Sequence, residues 1–160
     1  MAGRRARPES HRFQLLEREQ VITRERAEVF GFFADALNLE ALTPPLLRFS
    51  VLTPAPIEMG AGTLISYRMR LHGIPVRWLT RIEAWEPDRG FVDRQLRGPY
   101  RLWHHTHTFE SVEGGTLMRD RVRYAIPLGP FGRAAEALFV RRDLETIFDF
   151  RRDAVSRLLG

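Results

Sequence analysis

"RLWHHTHTFESVEGGTLMRDRVRYAI", residues 101–126, decides how this chain reads. Two runs of alternating side chains flank Glu113-Gly114, a pair suited to the centre of a tight hairpin turn. With that turn, Phe109 stands opposite Met118, His107 opposite Asp120, His105 opposite Val122 and Trp103 opposite Tyr124, all on one face. The other face sets Thr108, Thr106 and His104 against Arg119, Arg121 and Arg123. Three charges belong in water, so the first face is the inner one. Alternation therefore divides the clustered histidines: His105 and His107 point inward and His104 points outward.

The same argument extends upstream. "GTLISYRMRL" (62–71), "IPVRWLTRIEAW" (74–85) and "GFVDRQL" (90–96) are strand-like runs separated by His72-Gly73, "EPDR" and "RGPY", as in an antiparallel meander. A turn at His72-Gly73 pairs Tyr67 with Trp78, Met69 with Val76 and Leu71 with Ile74, leaving Arg68 and Arg77 outside. "GFVDRQL" admits two settings, because Phe91, Asp93 and Gln95 alternate with Val92, Arg94 and Leu96. Burying Arg94 is the worst of these choices, which favours Asp93 and Gln95 inside, with a bulge at Gly98 fixing the setting.

At the ends the periodicity changes. "HRFQLLEREQVI" (11–22) alternates as a strand over part of its length, and "RERAEVFGFFADALN" (24–38) places Val29, Phe30, Phe33 and Leu37 on one helical face until Pro44-Pro45 breaks the pattern. The last thirty-odd residues, from Pro130, form a long amphipathic helix with Val140, Leu144, Ile147, Ala154 and Leu158 on its apolar face. Arg151 falls within about 20° of Val140 on that face at 100° per residue, so it either reaches past the sheet edge, pairs with a buried carboxylate, or presents a cation to a ligand. The order implies an α+β domain: a curved antiparallel sheet of about six to seven strands wrapped around a long C-terminal helix, with one or two short helices after the first strand. The space between sheet and helix is the place for a ligand pocket.

Composition narrows the function. The 160 residues fit one domain, expected over 11–160 behind a basic tail at 1–10, and 44% hydrophobic and 11% aromatic residues exclude a disordered chain. The absence of cysteine excludes disulfides, thiolate metal sites and a cysteine nucleophile. "MAGRRARPES" has basic residues without the apolar stretch of a secretory signal, so a cytoplasmic location is expected. Of the formal charge of +5, Arg4, Arg5, Arg7 and Arg12 against Glu9 supply +3, leaving +2 for the rest. All 25 basic residues are arginine, and no basic stripe with interleaved aromatics appears, so no nucleic-acid partner is expected. The outward arginines Arg68, Arg77, Arg119, Arg121 and Arg123 read as a solvated sheet face, with transient membrane contact as the other reading.

"NLEALTP" (38–44), "GIPVRWLTRIEAWEP" (73–87), "FVDRQLRGPYRLWHHTHTFE" (91–110), "MRDRVRYAIPLG" (118–129) and "IFDFR" (147–151), in this order, resemble the helix-grip superfamily of START-like (SRPBCC) polyketide cyclase/coenzyme Q-binding domains. The likeness covers nearly the whole chain after the first ten residues. It is strongest to a bacterial branch found alone or attached to sugar-nucleotide-epimerase-like domains, carried by Asp93, Gln95, Gly98, Pro99, Trp103, His105, His107, Phe109, Asp120 and Tyr124. The resemblance implies a deep pocket for lipids, quinones, polyketides or other apolar molecules; it brings no catalytic role with it, because the superfamily includes carriers, sensors and cyclases.

Three chemistries fit the inward histidines. His105 and His107 with Asp120 could form a two-His, one-carboxylate metal set, but an aspartate opposite a histidine can simply accept its N–H, so no metal or other cofactor is expected. A His107–Asp120 pair could move protons in a cyclase- or dehydratase-like enzyme. The favoured reading is a buried polar network that recognises the polar end of an apolar ligand. Its contacts would be Tyr67, Trp78 and Trp103 as wall and Asp93, Gln95, His105, His107, Asp120, Tyr124 and Arg151 as polar groups. Carriage or sensing of a hydrophobic molecule is then the expected function, with lipid or quinone delivery at a membrane as a further variant.

Overall fold

Alternation governs the middle of the chain, and the computed structural model, which describes residues 13–160, folds it into one antiparallel sheet. The elements are β1 (Gln14–Ile22), α1 (Arg26–Ala34), β2 (Ser50–Val51), β3 (Leu64–Leu71), β4 (Ile74–Glu86), β5 (Gly90–Arg97), β6 (Leu102–Val112), β7 (Gly115–Ala125), α2 (Gly129–Ala135) and α3 (Arg141–Leu159). The strands lie in the order β1-β7-β6-β5-β4-β3-β2, so β1 closes one edge beside the last strand. This is the α+β helix-grip arrangement. The expected basic tail lies outside the described residues, and among those described no helix is long and apolar enough to cross a membrane.

Both hairpins have the expected register. Tyr67 lies opposite Trp78 and Arg68 opposite Arg77, while His107 lies opposite Asp120 and Trp103 opposite Tyr124. At the β3–β4 turn His72 and Gly73 have φ of 50° and 79°, the left-handed pair whose twist matches that of the strands. Between β4 and β5 the register slips past Leu96 and past Glu83, not at Gly98. Phe91 is buried, and Arg94 stays outside against Glu83 at 3.3 Å.

Helix phases depart from the sequence pattern in two places. α1 buries Val29, Phe30 and Phe33 but ends at Ala34; Asp35 accepts the Leu37 N–H, a 3-10 turn begins, and Leu37 is left exposed. The C-terminal helix contains a π-turn at Glu136–Val140, whose extra residue per turn offsets Val140 from α3. The buried stripe of α3 is Leu144, Phe148, Arg151, Ala154, Val155 and Leu159, so Leu158 points outward and Ile147 sits at the margin. Gln20 of β1 fixes this phase by donating to Arg152 O at 3.1 Å and Ser156 Oγ at 2.9 Å.

The aromatic core beneath α1 is continuous with the site. Phe30 meets Trp85, Phe91 and Phe109 edge-on at 5.2, 6.3 and 5.5 Å, and such pairs add about 0.5–1.5 kcal/mol each beyond their burial. The helix phase is testable by urea denaturation: Phe148→Ala should cost about 3 kcal/mol, and Leu158→Ala less than about 0.5 kcal/mol. Equal losses would mean that the helix is set differently.

Candidate functional site

The concave sheet face and α3 enclose a cavity of about 170 Å³. Most of its wall is apolar. Tyr67, Trp78 and Trp103 all line it, as expected, and Tyr100 joins them from the β5–β6 loop. Trp78 meets Trp103 edge-on at 5.2 Å, and Tyr100 lies 4.9 Å from Trp103. Trp78 is held by its Nε1–H, which donates to Thr80 Oγ1 at 3.0 Å. The polar end of the wall is Asp93, His105, His107 and Arg151.

Three expected contacts lie elsewhere. Gln95 is behind the wall, donating to Tyr100 O at 2.7 Å and accepting from Tyr100 N at 3.1 Å, so it positions the loop that carries Tyr100. Tyr124 donates its hydroxyl to Glu136 Oε1 at 3.0 Å in the π-turn, and burial with this acceptor pushes its pKa up to about 12. Asp120 lies beyond the imidazoles, where a second crevice of about 50 Å³ opens between β1 and α3. Tyr100 and Glu136 were not singled out in the sequence; an aromatic directly after the "RGP" turn was the one signal available for Tyr100.

The polar end is a closed network rather than a His107–Asp120 pair. Asp120 faces His107 in register but makes its shortest bond to His105 Nε2, at 2.7 Å, with His107 Nδ1 at 3.2 Å. Asp93 faces His105 in register but bonds His107 Nε2 at 2.7 Å, with His105 Nδ1 at 3.7 Å. Diagonal neighbours across strands are within reach of long side chains, and both carboxylates lean along the strand to use that reach. The two imidazoles stack 3.7 Å apart between them, and Phe91 stacks on His107 at 4.1 Å. Gly90 permits this close approach of β5 to β6, since a Cβ there would lie 2.3 Å from the His107 carbonyl oxygen.

Arg151 completes the network. It is 9% exposed, its Nη2 lies 3.4 Å from Asp120 Oδ1, and its guanidinium packs 5.1 Å from the Phe33 ring centre. Of the readings open for this residue, pairing with a buried carboxylate is the one seen. Its Nε is buried without a hydrogen-bond partner.

Burial works against every charge here, and the partners decide which survive. Desolvation raises the Asp120 pKa, but the Arg151 charge and the bonds from His105 and His107 outweigh it and hold the carboxyl well below its usual range. Burial raises the Asp93 pKa too, but its electrostatic interactions with the His105 and His107 imidazoles and the bond from His107 outweigh it and lower it. For His107 burial opposes protonation, yet bonds to Asp120 and Asp93 raise its pKa; for His105 burial and repulsion from His107 win, and its pKa falls. These directions favour the proton on His107 over His105, and with one imidazolium, one neutral imidazole, two carboxylates and one guanidinium the set sums to zero charge.

A cation could be offered ligand atoms by Asp93, His105 and His107, which lie within 4.8 Å of one another. It would have to break the 2.7 Å bond between His107 and Asp93 and sit close to a guanidinium. The donor set is arranged to hold protons, and elemental analysis of the purified protein should accordingly find no stoichiometric metal.

Comparison with known proteins agrees with this architecture. Residues 22–150 match the model of a family described as polyketide cyclase/dehydrase and lipid transport. The chain belongs to this family. Among solved structures, the polyketide cyclase/dehydrase fold recurs in the Zhui aromatase/cyclase from Streptomyces sp. R1128, at 16% identity and TM-score 0.71 over 90% of this chain and 92% of that one. A Thermus thermophilus protein matches at 21% identity and TM-score 0.65, over 89% and 97% of the two chains. A nucleoside-diphosphate sugar epimerase from Corynebacterium glutamicum matches at 21% identity and TM-score 0.66; 89% of this chain covers 28% of that longer one. At such identities the likeness is one of fold. No curated protein matches the chain in sequence.

The network makes stability depend on pH with a defined sign. Protonated His107 contributes stability that is present below the ordinary histidine value of about 6.5 and is lost as pH rises through its raised value. Neutral His105 contributes above that value and loses it as pH falls, and both carboxylates lose theirs as pH falls through their lowered values. Urea midpoints should therefore peak near pH 6–7, and His107→Gln should flatten the alkaline decline; an unchanged alkaline limb would refute the assignment. Asp120→Ala, which strands Arg151, should cost about 3–5 kcal/mol.

Proposed function

We propose that this domain binds an apolar, ring-containing small molecule whose oxygenated end docks against the histidine network. The observation that carries the reading is the cavity's polarity: an aromatic and aliphatic chamber ending on a buried polar cluster with two unused sites. With its proton on Nε2 for Asp120, neutral His105 keeps a lone pair on Nδ1, whose nearest carboxylate oxygen is 3.7 Å away. Arg151 Nε is a donor without a partner. An acceptor and a donor together suit a hydroxyl and a carbonyl on one ligand. Tyr67, its pKa raised by burial and by Asp93, remains a neutral phenol beside them.

Size restricts the ligand. A cavity of about 150 Å³ holds benzene, so 170 Å³ seats one ring or a small fused system with any longer part extending toward the mouth. Flat polyketides, quinones and related aromatics fit better than two-chain lipids, which would far overfill it.

A second reading, proton-transfer catalysis in a cyclase- or dehydratase-like reaction, is favoured by one specific feature. The stacked pair joins an imidazolium with a neutral imidazole at 3.7 Å, an acid and a base on one wall. The family includes polyketide cyclases, and aldol closure with loss of water requires a positioned donor and acceptor rather than a nucleophile.

Native mass spectrometry after mild purification, together with quenching of Trp78 and Trp103 fluorescence by a panel of quinones, hydroxylated naphthalenes and fatty acids, tests the binding reading. A one-to-one complex with a ring compound is expected, and absence of any retained or added ligand would refute it. His105→Ala should weaken binding by about 1–3 kcal/mol, as loss of one buried hydrogen bond does. For a substrate that turns over, His107→Ala losing turnover while keeping affinity would establish catalysis; parallel loss of both would leave recognition alone.

A further inference from the structure

Large apolar side chains stand in solvent where the C-terminal helix begins. Leu128 is 77% exposed, Phe131 83%, Leu138 66% and Phe139 60%. Single exposed apolar residues are ordinary, but four within one short segment mark an interaction surface. The π-turn explains why Leu138 and Phe139 face out: it turns Glu136 inward, where Tyr124 and Arg141 hold its carboxylate.

The patch leads directly into the cavity wall. About one helical turn beyond Phe139, Asp143 meets His72 Nε2 of the β3–β4 tip at 2.6 Å, and Leu144 and Ile147 just after it line the cavity. The same tip carries Ile74, 65% exposed and opposite Leu71, another wall residue.

Charge identifies the occupant. Arg133 and Arg142 are exposed in this segment with no acidic partner among the described residues, while Arg141 is tied to the segment's single acid, the buried Glu136. On the outer sheet face, by contrast, Arg119 is paired with Glu19 and Glu110, and Arg121 with Glu17. The chain through residue 12, net +3 by sequence, leads into β1, whose Gln14 pairs with Tyr124 shortly before the patch. A second copy docked by two-fold symmetry would set these arginines against themselves, and the basic N-terminal residues carry the same sign.

We infer that this surface docks on an anionic lipid bilayer, with Phe131, Leu138 and Phe139 entering the boundary between headgroups and acyl chains and the arginines meeting the phosphates. The purpose rests on the apolar-ligand reading: a poorly soluble molecule then passes between bilayer and cavity without crossing water. Segments that expose aromatic and leucine side chains among unpaired arginines bind anionic membrane surfaces in this manner.

Co-sedimentation with vesicles tests it. The protein should bind vesicles of phosphatidylcholine mixed with phosphatidylglycerol, bind pure phosphatidylcholine much less, and lose binding as salt rises. Joint Phe131→Ser and Phe139→Ser should lower the partition at least about tenfold with an unchanged urea midpoint. Joint Arg133→Gln and Arg142→Gln should lower it about fivefold per charge on the anionic vesicles alone. Failure of the wild type to bind anionic vesicles, an unaffected serine variant, or a dimer that the serine variant dissociates would each overturn the inference. Quenching of Trp78 and Trp103 by naphthol, measured without vesicles, separates the two ideas. Quenching without vesicle binding refutes docking and keeps the cavity reading; vesicle binding without quenching does the reverse.

Discussion

Charge cannot be placed inside a protein unless it is paired, and the buried Asp120, His105, His107 and Arg151, with the half-buried Asp93, meet this condition as a unit. Two carboxylates balance one guanidinium and one imidazolium, so the set is neutral when one of the two histidines is charged. Much of the architecture is constrained by that balance. The β6–β7 register brings the histidines to Asp120, the setting of β5 supplies Asp93, and the phase of α3 supplies Arg151. A slip of one residue in any of these would leave a charge unpaired in the interior.

The same cluster shapes the cavity. A hydrogen-bonded, charge-balanced polar end beside apolar walls gives one orientation to whatever enters. Its stacked rings are held in unlike protonation states by their neighbours, which suits either recognition of a hydroxyl and carbonyl pair or transfer of a proton between them. At the other end of the cavity the π-turn turns Glu136 inward and apolar side chains outward, so the interior of the helix-grip fold and the character of its mouth are linked through one irregular helical turn.

The extent to which the site was legible follows from the range of each interaction. Strand alternation acts between adjacent residues, and hairpin turns join partners close in sequence. The inward placement of His105 and His107 and the opposition of Tyr67 to Trp78 could therefore be read directly. Arg151 was visible as an anomaly, a cation on an apolar helical stripe. The short bonds were not visible, because registry predicts which residues are opposite and not where a long side chain leans; hence His107 bonds Asp93 and His105 bonds Asp120. Gln95 and Tyr124 were read as pocket residues on facing alone, yet each is taken up by a nearer partner, Tyr100 in one case and Glu136 in the other.

By itself the sequence determined the α+β order, the hairpin registers, the inner and outer faces of the sheet, and the polar residues available to the interior, since all of these follow from side-chain period and turn chemistry. Tertiary structure decided which carboxylate holds which imidazole, the rotation of α3 that buries Phe148 and exposes Leu158, and the size of the cavity. Those depend on how two layers settle against each other over distances of several ångströms, where a π-turn or a fraction of a helical turn redirects every side chain beyond it.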